Sequence, residues 1–295
     1  MITAADILEE FQQNLIADGK SPKTVASYTC DVRSFLNWLE ERGVGFDGGL
    51  TRLHVTAYRR HLIEAGYEAN TVNKKINSLR CFNLFLIETG AASEIVVHPK
   101  KDRAKVALGS EKQVEVFSEE EVERILFHAQ DRTRCSARDA LVMMMLLYTG
   151  VRVSELVSVR LQDVDFITLT LRVVGKGGKH REVPLRAEVA ETVREYLGTE
   201  RKESPHRGSQ FLLLTQRAGR MDKNTVNRLL RKHGNRLGIE MKPHKFRHTF
   251  CTRLVRCGVP LSTVAMLAGH ASVQTTARFY VNTSREEKMR AIELL

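Results

Sequence analysis

Arg152 stands in YTGVRVSEL, directly after the apolar run ALVMMMLLY. A guanidinium there needs an anion or several acceptors, because burying it unpaired is costly. Glu155, three residues on, could serve as a salt-bridge partner; a bound anion is the other reading. Farther along, HKFRH places His244 and Arg247 on one face of a helix that Pro243 would start. A His and an Arg aimed together from a helix N-terminus suit a phosphate, since free N–H groups and the helix dipole also favour an anion. His248 points elsewhere and reads as structural. A metal on His244 and His248 lacks support, because no HExxH glutamate lies between them and no third ligand follows at a familiar spacing. Lys176 and Lys179 lie in GKGGKH, a glycine-rich turn between two short strand-like runs. The turn is not a phosphate-binding loop of the GxxxxGK[ST] type. A lysine there either reaches a leaving group from outside the core or touches phosphate or solvent. Near the end, GHASVQTTARFYVNTS holds His270 and Tyr280. Alone, a tyrosine after Phe279 reads as packing. In company with two arginines, one or two lysines and two histidines it becomes a candidate nucleophile. The set has no paired carboxylates, which argues against nucleases and polymerases that hold Mg²⁺ on acidic clusters. It suits phosphoryl transfer by charge stabilisation, with a side-chain oxygen attacking.

The elements that must position these residues differ between the two ends of the chain. In the first hundred residues, ADILEEFQQNLIAD, KTVASYTCDVRSFLNWLEERG, TRLHVTAYRRHLIEAG and NTVNKKINSLRCFNLFLIETG each carry helical apolar spacing and end near a glycine. In the fourth, Val72, Ile76, Leu79 and Phe82 form one stripe, with Lys74, Lys75 and Arg80 off it. Residues 98–116, HPKKDRAKVALGSEKQVEV, show no strong period and several basic residues, as expected of a linker able to lie along a phosphate backbone. Ser118 with Glu121 forms a capping box that starts a new helix. A helix buried nearly all round follows and stops at Gly150. TLTLRVV and REVPL then switch to a period of two, the mark of a hairpin. Helices return to the end of the chain. The fold expected is mainly α with a small antiparallel β-sheet, divided as residues 1–98, a linker over 99–116, and 117–295 ending in a tail helix at 284–295.

The 295 residues carry 46 Lys plus Arg against 35 Asp plus Glu, a net charge of +11. A chain this basic most often meets a polyanion. No run approaches the length of a membrane helix, and the amphipathic N-terminus is neither a signal nor a transit peptide. Five scattered cysteines without a CxxC pair suggest neither a disulfide framework nor a cysteine-based zinc site. A reduced, cytoplasmic, metal-free protein is expected.

Taken in order, SPKTVASYTCDVRSFLNWL, NTVNKKINSLRCFNLFLIETG, LLYTGVRVSEL, VVGKGGKHREVPL and PHKFRHTFCTRLVRCGVPLSTVAMLAGHASVQTTARFY resemble the tyrosine recombinases, of the Xer and phage or transposon integrase type. The resemblance covers nearly the whole chain. It implies a helical core-binding, SAM-like DNA-binding domain followed by an α+β catalytic domain. It implies that Arg152 and Arg247 hold the scissile phosphate, and that His244 and His270 assist proton handling and bind the phosphate. Lys176 would be the general acid for the 5′-oxygen. Tyr280 would attack to give a 3′-phosphotyrosyl DNA, with strand exchange through a Holliday junction and no cofactor, metal or nucleotide. Tyr280 lies one residue farther from His270 than in many members of the family, where Phe279 stands here. The partners implied are double-stranded DNA with specific core sites and further copies of the chain in a tetramer, with exchange of the C-terminal helix. Candidate DNA contacts are Lys23, Lys74, Lys75, Arg80, Lys100, Lys101, Lys179, Lys223 and Arg228.

Two other readings stand beside this one. A non-catalytic DNA-binding accessory factor of the same fold would account for the shifted tyrosine. A type IB topoisomerase-like enzyme would keep the chemistry and relax DNA without a specific site. Integration, excision, cointegrate resolution and chromosome dimer resolution share one active site, so the residues do not separate them.

Overall fold

The computed structural model describes residues 3–46, 48–104, 114–175, 178, 180–270 and 272–273. The chain divides into two compact units, Met1–Glu111 and Lys112–Leu295.

In the first unit four helices form as the apolar periodicity predicts: α1 (Ala4–Ala17), α2 (Pro22–Glu40), α3 (Arg52–Glu64) and α4 (Ala69–Glu88). Thr3, Ser21 and Thr51 cap the first three, each hydroxyl accepting a backbone N–H in the first turn. Their inward stripes close one core around Phe11, Phe35, Tyr58, Ile76, Leu79 and Phe82. Chain expected as linker begins with a helical turn, α5 (Pro99–Asp102), packed on α4. Asp102 is buried and takes the Arg52 guanidinium at 2.6 Å, while its carboxylate also accepts the His98 N–H at 2.7 Å. Asn73 exchanges two bonds with the Ala104 backbone. Residues 99–104 therefore belong to the first unit. The basic composition hid this, because the one acidic residue in the run is the anchor. Residues 105–113 of the expected linker lie outside the described residues.

The second unit is built on α7 (Ala137–Thr149), whose residues are buried on every side. Around it lie α6 (Glu119–Gln130), α9 (Ala187–Gly198), α10 (Glu200–Glu203), α11 (Lys223–Leu237) and α12 (Pro243–Arg256). The short α8 (Val153–Leu156) follows α7, and α13 (Leu261–Ala268) follows α12. The expected capping box is present: Glu121 N–H donates to the Ser118 hydroxyl at 3.0 Å, and Ser118 N–H donates to the Glu121 carboxylate at 2.9 Å. The sheet has three antiparallel strands in the order β1 (Val164–Asp165), β2 (Thr170–Val174) and β3 (His180–Pro184). The β2–β3 pair is the expected hairpin, in register from Thr170 opposite Pro184 to Val174 opposite His180. With two residues, β1 is too short to show alternation, so only tertiary pairing reveals it. No helix among the described residues is long and apolar enough to cross a membrane.

Candidate active site

Three helix ends meet the middle of α12 here: α7 stops at Thr149, α8 starts after Arg152, and α13 stops at Ala268. Gly150 ends α7 in the left-handed region, φ 59°. A Cβ on it would lie 2.3 Å from the Phe250 ring, so close packing of α12 on α7 requires glycine. The Gly150 carbonyl, turned out by this cap, accepts Arg247 Nη1 at 2.6 Å. Arg247 is 5% exposed, and its Nη2 is buried without a hydrogen-bond partner. Burial, followed by the nearby charge of Arg152, pulls the Arg247 guanidinium down to about 10. A buried cation repelled by another cation, with one donor unused, is a site built for an anion.

Arg152 caps α8 and serves both readings of its sequence. Its Nη1 donates to Glu155 at 2.9 Å and its Nη2 to the Gly269 carbonyl at 2.8 Å, while its backbone N–H donates to Glu155 at 2.7 Å. The side chain keeps 38% of its surface open. Glu155 thus orients the arginine without closing it off. Burial alone would raise the Glu155 carboxyl, but the Arg181 bonds, the Arg152 N–H and the two positive charges outweigh it and hold Glu155 below the usual carboxylate range.

Arg181 is the residue that motif reading missed. It stands on β3 opposite Val173 of β2, on the same face as the buried Val183. Its two terminal nitrogens grip Glu155 bidentately at 3.0 and 2.9 Å, and its Nε donates to the Leu267 carbonyl at 2.9 Å. One guanidinium therefore ties the hairpin to the Arg152 carboxylate partner and to the end of α13. Gly269, at φ 66°, lies so near it that a Cβ would come within 2.7 Å of Arg181 Nη1. The signal was present in the alternation: an arginine at an inward strand position needs a buried acceptor.

His270 follows Gly269 and donates its N–H to Ala265 O at 2.9 Å. Burial first, then Arg247, Arg152, His248 and Arg181, press its imidazole down to about 4. It is neutral at physiological pH. His244 is exposed at the start of α12, and its ring lies 6.5 Å from that of the half-buried His248. Burial, with His244 and Arg247 in turn, lowers His248. Lys176, Lys179 and Tyr280 lie outside the described residues, as does the expected tail helix at 284–295.

The candidate DNA contacts divide into free and committed side chains. Lys23, Lys100, Lys101, Lys223 and Arg228 are exposed, Arg228 with an Nη2 bond to the Thr225 hydroxyl at 3.1 Å. Lys74 and Lys75 both reach the buried Asp31, at 3.1 and 3.6 Å, and Lys75 keeps only 12% of its side chain open. Arg80 donates to the Val97 carbonyl at 2.9 Å. Lys75 and Arg80 hold the first unit together, a use that helical spacing alone does not reveal, while Lys74 reaches Asp31 and still keeps 53% of its side chain open.

Residues 115–287 match the model of the phage integrase family, and residues 8–90 match that of the phage integrase N-terminal SAM-like domain. A tyrosine recombinase XerA of Thermococcus kodakarensis is 32% identical over 98% of this chain and 94% of its own length. A TnP I resolvase of Bacillus thuringiensis is 30% identical over 98% of this chain and 100% of its own. Among solved structures, the fold matches the XerH site-specific recombinase in its post-cleavage complex with a palindromic difH substrate, at a TM-score of 0.77, 20% identity and 97% and 83% of the two chains. It also matches the Tn1549 transposon integrase with circular intermediate DNA, at a TM-score of 0.71, 19% identity and 97% and 98% coverage. With both family models satisfied in order and relatives aligned almost end to end, the chain belongs to the phage integrase family of tyrosine recombinases, site-specific enzymes of DNA cleavage and rejoining.

Proposed function

We propose that the protein cuts and rejoins duplex DNA at specific core sites through a covalent bond between Tyr280 and a 3′-phosphate. The observation that carries this reading is the buried, unpartnered Nη2 of Arg247 beside Arg152 and a neutral His270. In the reaction, the two arginines hold the non-bridging oxygens and stabilise the charge that grows there in the transition state. The Tyr280 oxygen attacks phosphorus, and the bond to the 5′-oxygen breaks. The phenolic proton passes to a neighbouring base, the role assigned here to the neutral imidazole of His270. Lys176 protonates the departing 5′-oxygen. His244 adds a phosphate contact from the start of α12. The phosphotyrosyl bond retains the energy of the phosphodiester, so religation needs no nucleotide, and no step calls on a metal.

The first unit serves as the core-binding domain, with the second as the catalytic domain, and the two clamp the duplex. Lys23, Lys100, Lys101, Lys223 and Arg228 are the exposed cations suited to phosphate contact. Four copies assemble on two sites, with the tail beyond residue 284 docking on a neighbour. The protein works in the cytoplasm, on a mobile element or on chromosome dimers.

The test uses nicked DNA carrying candidate sites, incubated with the full chain in EDTA. A denaturation-resistant adduct is expected with the wild type and absent with Tyr280→Phe. An adduct that survives in Tyr280→Phe assigns the nucleophile elsewhere. Tight, site-specific binding without any adduct supports the accessory-factor reading, and relaxation of DNA lacking a site supports a topoisomerase.

A further inference from the structure

A second polar cluster lies within the catalytic unit, at the far end of α7 from Arg152. His128 in the last turn of α6, Cys135 in the loop before α7 and His233 on α11 are all buried, at 5%, 1% and 0% exposure. Their ligand atoms lie within 4.8 Å of one another. His128 Nε2 is 2.7 Å from His233 Nδ1. His233 Nε2 meets the Asp139 carboxylate at 3.0 Å, and the other oxygen of Asp139 takes Arg138. We propose that His128, Cys135 and His233 bind a divalent transition metal of the zinc class, as a structural staple joining α6, the loop before α7, and α11.

The donor set supports zinc. Two imidazole nitrogens and one thiolate suit zinc and exclude Mg²⁺ and Ca²⁺, which take oxygen ligands. The carboxylate behind His233 is the outer partner that fixes a metal-bound imidazole: it holds the proton on Nε2 and turns the Nδ1 lone pair inward. A hydrogen-bonded His128–His233–Asp139 chain accounts for two of the three side chains, and Cys135 takes no part in it. The Cys135 thiol makes only a 3.6 Å contact to the Ser136 carbonyl.

Binding balances simply. The Cys135 proton leaves to solvent, and the proton that His128 shares with His233 moves to His128 Nδ1. Three lone pairs then coordinate the metal. Metal bonds of about 2.0–2.3 Å hold ligand atoms roughly 3.4 Å apart, so the two imidazoles separate slightly from their hydrogen-bonded distance. None of this depends on Tyr280, Lys176 or the phosphate pocket.

The test strips the full chain with EDTA, desalts it, and titrates Co²⁺ and then Zn²⁺. The expected result is one cobalt per chain, with a thiolate-to-cobalt charge-transfer band that zinc displaces and a rise in melting temperature with zinc. Cys135→Ser should abolish the band, and His233→Gln should weaken binding about 100-fold. Circular dichroism confirms that each variant is folded, and a variant that does not fold leaves the wild-type titration to decide. The proposal is overturned if the wild type at micromolar zinc retains none and melts unchanged. It is equally overturned if the band persists in Cys135→Ser, because the exposed Cys257 or another thiol then supplies the ligand.

Discussion

Two arginines of the catalytic unit are buried to nearly the same depth, and their surroundings differ. Arg201, 6% exposed, spends its guanidinium on the chain itself: Nε donates to Leu212 O, Nη1 to Arg207 O, and Nη2 to both Ser209 O and Phe211 O. Arg247, 5% exposed, has one carbonyl acceptor and one orphaned nitrogen. A buried cation with its donors satisfied is a structural device, pinning the loop after α10. A buried cation left partly unsatisfied, with Arg152 beside it, is destabilising by itself and persists where a ligand supplies the missing charge. Burial alone does not distinguish the two; the hydrogen-bond inventory does.

The sharpest way to break this comparison is to make the same substitution twice. Arg201→Met should lower stability by roughly 3–5 kcal/mol in denaturant melts, because four carbonyls lose their donor. Arg247→Met should leave stability unchanged or higher and reduce adduct formation by about 10²–10³-fold. Equal destabilisation by both would erase the distinction. Arg181→Ala comes next. It touches no proposed substrate atom, yet it anchors Glu155 and the end of α13. Its loss should slow cleavage by up to about 10²-fold through misplacement of Arg152 and His270, with DNA affinity little changed. Arg181→Lys should not rescue, since an ammonium cannot form the bidentate fork. A loss confined to affinity would assign Arg181 to DNA binding instead.

The smallest effect is in proton binding. In the free protein the His270 imidazole should titrate near 4 by NMR, below the unfolded value near 6.5. The unfolded chain then binds the proton first as pH falls. This contribution to stability is complete above about 6.5 and is lost as pH drops towards 4. Adding a short phosphodiester should raise the titration midpoint, because the anion offsets the arginines that depress it. A midpoint that stays at 4 with the phosphate bound would separate His270 from the pocket.

Much of this was legible without coordinates. Helix periodicity and capping residues set α1 to α4, α6 and α7 within a residue or two, because those signals act inside one turn. The motifs singled out Arg152, Arg247 and His270, which the fold brings near one another, and Glu155 as a partner of Arg152, whereas His244 stands exposed at the start of α12. Other features depended on pairs distant in sequence. Arg52 finds Asp102, Lys74 and Lys75 find Asp31, Arg181 finds Glu155, and His128 finds His233. Basic residues that read as one DNA-facing set therefore divide into cations with open side chains, internal anchors such as Lys75 and Arg80, and Lys74, which is exposed and also bonded to Asp31.

By itself, the amino-acid order determined which residue types stand at each helix end and which strand positions face inward. The tertiary structure alone decided which buried charges are satisfied. The reason is physical: a cap is completed within three or four residues, whereas an acceptor for a buried guanidinium or imidazole arrives from wherever the packed helices bring one.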